Sequence, residues 1–391
     1  MMSSRFNFHL GIDATNLSQG RGLTYLTQLL RFDPNKAGIE HVTVWCSSKT
    51  GRKLPSAPWL TIRSPRWASS FLSRRVLGQL VQITQEVKRA GCHIFFAPGG
   101  VLSPFLSLPT ISMSQNMLPF ERKEALLFGK YHFMYLKFCI LKQMQVRSFR
   151  RANGVIFLTE YAKKRVSAVL GEQLETSALI PHGIEPRFIQ ASPLKPQKNI
   201  FEYTDLAPFK LLYVSIVMPY KHQCEVAQAV YQLKKEGLPI EIKFVGALCG
   251  NYGIQFSKLI DRLDPRREYI HHIEEQSFAL IHQYYHEADL FIFSSSCENL
   301  PNILIEAMAA GLAICCSDRG PMKEILGDAG GYFNPYSSES IADRLREFIL
   351  NPELRSKYAR MAQEKSRIYS WENCANETYK FISRVVGSRR C

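Results

Sequence analysis

The window Ser294-Ser-Ser-Cys-Glu298-Asn-Leu-Pro301-Asn-Ile-Leu-Ile-Glu306-Ala-Met-Ala-Ala-Gly311 gathers side chains that can do chemistry. It leaves an apolar run, Leu290 to Ser294, that reads as a buried strand. It then turns and enters a predicted helix behind Pro301 and Asn302, residues suited to a first helical turn. The unbonded N–H groups of a helix start can hold negative charge or sugar hydroxyls. Glu298 stands in the turn and Glu306 on the helix. Ionised carboxylates only accept hydrogen bonds, so two of them flanking such a start could grip vicinal hydroxyls. The plainer alternative is that Glu298 caps the helix and Glu306 is solvated. A second group stands in Leu212-Tyr-Val-Ser215-Ile216-Val-Met-Pro219-Tyr-Lys221-His222. Lys221 is at a helix start, where the dipole disfavours a cation, so a surface position there is mildly unfavourable.

Positioning these groups requires strands that end next to one another. Short apolar runs alternate with helical patterns in both halves, which predicts α/β units with parallel sheets. In the first half Phe8 to Ile12, His41 to Cys46, Ile94 to Phe96, Thr110 to Met113 and Val155 to Leu158 read as strands. Helical stretches lie between them, notably Leu72 to Ala90 and Glu124 to Arg151. In the second half Leu211 to Val217, Glu241 to Val245, Leu290 to Ser294 and Ala313 to Cys316 read as strands, with helices near 222–236, 276–287 and 303–310. The proline-bearing segment Pro181 to Lys198 marks the junction. The expected units are 1–188, 189–365, and a C-terminal helix in 366–391 that packs back on the first. Two such domains in tandem would face each other across a cleft, with ligands at the carboxyl ends of the strands.

The 391 residues exceed what one core usually supports, which agrees with two domains. No apolar run reaches the roughly 20 residues of a membrane helix, and no signal peptide is evident, so a cytoplasmic protein is expected. The 10 cysteines form neither a Cys-x-x-Cys pair nor a zinc-spaced cluster, so a reduced compartment and no metal are expected. Charge is uneven. Residues 1–190 hold 25 Lys and Arg against 10 Asp and Glu, whereas residues 191–391 hold 24 of each. The first half therefore carries the whole excess of +15 and suits an anionic partner.

The chemical window continues through Ser317-Asp318-Arg-Gly320-Pro321-Met-Lys-Glu324 and Gly327-Asp328-Ala-Gly330-Gly331-Tyr-Phe333-Asn-Pro335. Together these stretches closely resemble glycosyltransferase family 4 and relatives with the GT-B fold, among them bacterial O-antigen and exopolysaccharide transferases. The resemblance spreads over most of the chain and is strongest from about Leu211 to Pro335. It implies two Rossmann-like domains, a nucleotide-sugar donor linked to GDP or UDP, no cofactor, and retention of configuration at the transferred sugar. Glu306 matches the carboxylate that holds the donor ribose, and Glu298 the one that contacts the sugar. The backbone of Asn299, Leu300, Asn302 and Ile303 would lie near sugar and diphosphate, and Lys221 would neutralise that diphosphate. The family usually carries an arginine five residues before this lysine, where Ile216 stands; Arg21 is a possible substitute. Gly20, Arg21 and Gly22 resemble the family's early glycine-containing loop, where glycine lets the backbone approach a phosphate or sugar. Gln115 and Asn116 occupy a strand end where many relatives place a histidine. Neither can act as a general base, which suits a mechanism that takes the acceptor's proton on the leaving phosphate. His182 is a cleft-lining candidate.

The basic segment Glu121 to Arg151 mixes Arg122, Lys123, Lys130, Lys137, Lys142, Arg147, Arg150 and Arg151 with aromatic residues, and Arg63, Arg66, Trp67, Arg74 and Arg75 add a second cluster. Such helices can lie on an anionic membrane, which with a glycan or polyprenyl-linked acceptor gives a peripheral enzyme at the inner membrane face. The plain alternative is a solvated basic face over the first sheet. A nucleic-acid binder leaves the 298–335 window unexplained, and no such module is present. A sugar-nucleotide epimerase or hydrolase on the same fold, and an inverting transferase, remain as rivals.

Overall fold

The computed structural model describes residues 7–18, 20–172, 174–190, 194–274 and 280–388. The chain divides into two compact units. The first comprises Met1–Phe120, Tyr131–Gly183 and Tyr369–Cys391, and the second Glu121–Lys130 and Ile184–Ile368.

The first unit is built on a parallel sheet of seven strands: β1 Phe8–Asp13, β2 Ile39–Trp45, β3 Leu60–Arg63, β4 Ile94–Ala97, β5 Thr110–Met113, β6 Gly154–Phe157 and β7 Ser177–Leu179. Their order across the sheet is β3-β2-β1-β4-β5-β6-β7. The second unit repeats the plan with β8 Phe209–Val214, β9 Ile240–Val245, β10 Ile270–Ile273, β11 Leu290–Phe293, β12 Ala313–Ser317 and β13 Gly331–Phe333, in the order β10-β9-β8-β11-β12-β13. Strands β4, β5, β6 and β11 are buried at every position, and β4, β6 and β11 read as unbroken apolar runs, whereas β5 includes the buried Thr110 and Ser112. The strand order reverses direction at β1/β4 in the first sheet and at β8/β11 in the second. Connections diverge at such a point and leave a crevice beyond the strand carboxyl ends.

Two expected helices take a different form. Leu72 to Ala90 is helical throughout, but a π-turn, Gly78–Gln82, separates Leu72–Leu77 from Ile83–Arg89. A Cβ on Gly78 would lie 2.3 Å from the Trp67 ring, so the glycine admits the indole against the helix. The single helix expected over Glu124 to Arg151 is in fact two, Arg122–Leu126 and Phe133–Arg151. Gly129, at φ 101°, turns the chain between them, and the His132 side chain accepts a bond from Met134 N at 3.2 Å to cap the second. Lys130 therefore does not share a helical face with Lys137 and Arg151. Of the helix expected near 276–287, the described part is Ile281–Glu287, and residues 275–279 lie outside the described residues. The helix Trp371–Gly387 packs on the first unit, where Tyr379 donates to the Leu29 carbonyl at 2.8 Å and Ser383 to that of Ala37.

The start of β1 carries a pH-dependent feature. His9 is half-buried, hydrogen-bonded to Thr43 Oγ1 at 2.9 Å, and set edge-on to His41 with ring centroids 4.9 Å apart. Burial, with His41 and His93 nearby, holds its pKa down to about 4. The unfolded chain protonates His9 near pH 6.5 and the folded one only near 4, so stability is full above pH 6.5 and drains as pH falls towards 4. The His9→Asn variant removes this contribution. Thermal unfolding at pH 7 and pH 4.5 is expected to show a smaller acid loss in His9→Asn than in the parent chain; equal losses contradict the assignment.

Candidate functional site in the second unit

Lys221 and Glu298 come from the two strands that flank the switch point, one from the connection after β8 and the other from that after β11. Lys221 ends a 3₁₀ turn, Pro219–Lys221, opened by the preset φ of Pro219. Its carbonyl accepts from Ser294 Oγ at 2.6 Å and from the Tyr213 phenol. His222 follows at φ 53° and turns the chain into the helix Gln223–Lys235. These bonds tie the β8 turn to the end of β11.

The lysine is not a surface residue: it is 2% exposed, and Glu298 is 5% exposed. The ammonium forms an ion pair with Glu298 Oε1 and lies 5.0 Å from the Phe293 ring centroid. Ser295 Oγ also donates to Glu298 Oε1, at 2.8 Å. Two opposite charges taken from water must be paired and hydrogen-bonded to be tolerated, and here they are. Glu298 therefore does not cap the following helix. That helix, Asn302–Ala309, starts behind Pro301. Asn299, Leu300 and Asn302 are buried, while Ile303 and Glu306 are half-buried. Glu306 is held by Tyr285, whose phenol donates to Oε2 at 3.0 Å. Tyr285 is itself fixed, stacked on Phe291 at 5.5 Å and edge-on to Phe188 at 5.4 Å.

A further polar group surrounds His222. Its Nε2 lies 2.9 Å from Ser296 Oγ, and Ser296 donates to Glu124 Oε2. Tyr336 donates to Glu124 Oε1 at 2.5 Å and stands edge-on to His222, with centroids 4.6 Å apart. Burial, followed by the bond to Glu124, pushes the Tyr336 phenol up to about 12, so it remains a donor at neutral pH. Arg319 stacks over Tyr336 at 5.9 Å and pairs with Asp318 at 3.0 Å. Ile216, at the end of β8, is 43% exposed and offers the site no charge.

The remaining candidates lie in the first unit. Gly20, Arg21 and Gly22 form the first turn of the helix Gly20–Leu29 rather than a loop, with Gly20 at φ 64°. A Cβ on Gly22 would lie 3.3 Å from Gln115 Oε1, so these two positions are neighbours. Gln115 Nε2 approaches Met113 Sδ at 3.3 Å, and Asn116 Oδ1 accepts from Leu118 N at 3.1 Å. Beside them Asp13, at the end of β1, is buried and accepts from Thr15 N, Thr15 Oγ1 and Gln79 Nε2; desolvation raises its pKa and the three bonds oppose that rise. His182, expected to line a cleft, is instead buried between the rings of Tyr25 and Trp371, stacked at 5.2 and 5.5 Å. Sequence reasoning missed Glu124, Tyr285, Ser295, Ser296 and Tyr336. The run of three serines was the available signal for two of them. Among the described residues no helix is long and apolar enough to cross a membrane.

The fold is that of the GT-B proteins. The structure of Anabaena HepE in complex with UDP and glucose matches with a TM-score of 0.70 at 16% identity, over 95% of this chain and 98% of that one. Residues 197–365 match the family Glycosyl transferases group 1, in agreement with the resemblance read from the sequence. The lipopolysaccharide 1,2-N-acetylglucosaminetransferase of Salmonella typhimurium is 30% identical over 54% of the chain, and the O-antigen chain mannosyltransferase B of Escherichia coli is 26% identical over 60%. The chain spans under two thirds of these relatives' lengths, 58% of the first and 62% of the second.

Proposed function

We propose that this chain is a retaining glycosyltransferase that moves a hexose from a GDP- or UDP-linked donor to a glycan or lipid-linked glycan in cell-surface polysaccharide synthesis. The observation that carries the reading is the buried Lys221–Glu298 pair at the β8/β11 switch point, inside the stretch that matches group 1. The relatives' names, one an N-acetylglucosaminyl and one a mannosyl transferase, support a hexose of either kind; mannose is the modest favourite.

Lys221 meets the diphosphate and offsets the charge that builds as the glycosidic bond breaks. Glu298 accepts from the sugar hydroxyls and Glu306 from the ribose. Arg319 is a second cation on the same group of side chains and takes part of the role that Ile216 cannot. The acceptor oxygen bonds to the anomeric carbon as the phosphate oxygen leaves from the same face and takes the acceptor's proton. The protein contributes position and charge rather than a base. The basic first half reaches an anionic membrane, and pelleting with anionic vesicles at low salt, weakened by high salt, is the expected result.

Nucleotide binding tests the donor site. UDP or GDP is expected to raise the melting temperature. Tyr285→Phe removes a bond to a charged acceptor, worth about 1.5–3 kcal/mol, and is expected to weaken that nucleotide on the order of tenfold. Unchanged affinity would mean that Glu306 does not face the ribose.

A further inference from the structure

A parallel crossover normally carries a helix that covers the sheet face. The β4-to-β5 connection, residues 98–109, has none. Its stretch Val101-Leu-Ser-Pro-Phe-Leu-Ser-Leu-Pro109 is uncharged and mostly apolar. The first unit is left with a cavity of about 530 Å³ beneath this connection, within the size range of small-molecule sites. Its apolar wall is made by Leu80, Leu102, Leu106, Leu108 and Met144. Leu80 belongs to the π-turn, which brings it to the cavity.

Arg147 and Arg151, one turn apart on the helix Phe133–Arg151, line the same space. Arg151 donates to the Pro104 carbonyl at 2.8 Å, and neither guanidinium pairs with a carboxylate among the described residues. Three polar groups of the wall bond within the protein. Ser103 Oγ donates to the Leu80 carbonyl at 2.6 Å, Ser148 Oγ to that of Met144 at 2.8 Å, and Asn153 Oδ1 accepts from Thr110 N at 3.0 Å. Phe105, 63% exposed in the same connection, adds apolar surface beside it.

We propose that this cavity binds the hydrocarbon tail of an anionic amphiphile, with its phosphate or carboxylate at Arg147 and Arg151. An inorganic anion leaves the leucine wall unused, and a neutral chain leaves both cations unpaired. The site lies wholly in the first unit; it extends the proposed membrane contact and does not depend on sugar transfer.

Calorimetric titration of the full chain with dodecyl phosphate, dodecyl maltoside below its micelle threshold, and inorganic phosphate tests it. Dodecyl phosphate is expected to bind at least about tenfold tighter than either control, since each guanidinium gains a charge-assisted bond. Arg147→Gln, a surface change that leaves the fold alone, and Leu106→Gln are each expected to weaken it about tenfold, with the nucleotide-induced melting shift unchanged. Equal binding of phosphate and maltoside detergents, or an Arg147→Gln variant that binds as the parent does, overturns the proposal. So does a chain that binds anionic phospholipid vesicles but not free dodecyl phosphate, which identifies charge adsorption at a bilayer. Dodecyl phosphate binding with no nucleotide shift counts against the donor reading and leaves this cavity standing.

Discussion

Lys221→Ala is expected to lower sugar transfer on the order of 10²-fold, the usual scale for losing a preorganised group that stabilises charge in the transition state. It is also expected to destabilise the second unit by about 3–5 kcal/mol, because removing one partner of a buried pair leaves the other charge uncompensated. Glu298 would stay buried, with Ser295 Oγ still donating to it at 2.8 Å. Glu306→Gln separates the two effects. Glu306 is half-buried, and the amide oxygen of glutamine can still accept from the Tyr285 phenol, so the melting temperature is expected to hold. Transfer should nonetheless fall roughly tenfold to a hundredfold, the range for weakening hydrogen bonds to a charged group. Urea unfolding together with release of nucleoside diphosphate measures both quantities. Near-normal turnover in both variants removes the site assignment.

Gly246→Ala is expected to destabilise the second unit by about 3 kcal/mol or more. Gly246 follows β9 at φ 146°, a conformation that side chains rarely adopt. Its N–H donates to the Ile273 carbonyl at 3.0 Å, so the residue cannot rotate freely. A Cβ there would lie 2.2 Å from the Ser215 carbonyl oxygen, a backbone atom with no rotamer to yield. Strained dihedral and overpacking act together. Ser215 is itself held by a bond from its N–H to Val245 O at 2.9 Å, and it leads into the turn that carries Lys221. The clash is therefore expected to reduce nucleotide binding as well. Gly237→Ala is the control. Its φ is 86°, yet nothing lies within 4 Å of the added Cβ, so only the backbone cost of about 1–2 kcal/mol applies. Similar losses in the two variants, read by urea unfolding, would show that the clash with Ser215 is relieved.

Legibility in the sequence followed burial and contiguity. Strands β4, β6 and β11 were readable because they are buried at every position, which leaves unbroken apolar runs. The partly exposed β3 and β7 mix polar and apolar positions and gave no such signal. Lys221, Glu298 and Glu306 were readable because each stands within a contiguous, recognisable window. Glu124 was not: it lies 172 residues from Ser296 and 212 from Tyr336, and its basic neighbours made the segment read as a helix lying on an anionic membrane. Tyr285 was hidden for a related reason: it lies 21 residues from Glu306 in the mixed helix Ile281–Glu287, and only the structure shows its hydroxyl on Glu306. His182 misled in the opposite direction. A histidine in a Pro-His-Gly loop looks available for chemistry, but the ring is sandwiched between Tyr25 and Trp371.

The most direct measurement of the proposed activity is slow cleavage of nucleotide sugars by the purified chain. UDP- and GDP-linked hexoses and N-acetylhexosamines are offered one at a time, and both nucleoside diphosphate release and the anomeric form of the freed sugar are followed. At least one donor is expected to be cleaved with retention, and Lys221→Ala is expected to lower that release on the order of 10²-fold. A folded chain that neither binds nor cleaves any donor, or that cleaves one equally well without Lys221, contradicts a donor site built on the Lys221–Glu298 pair.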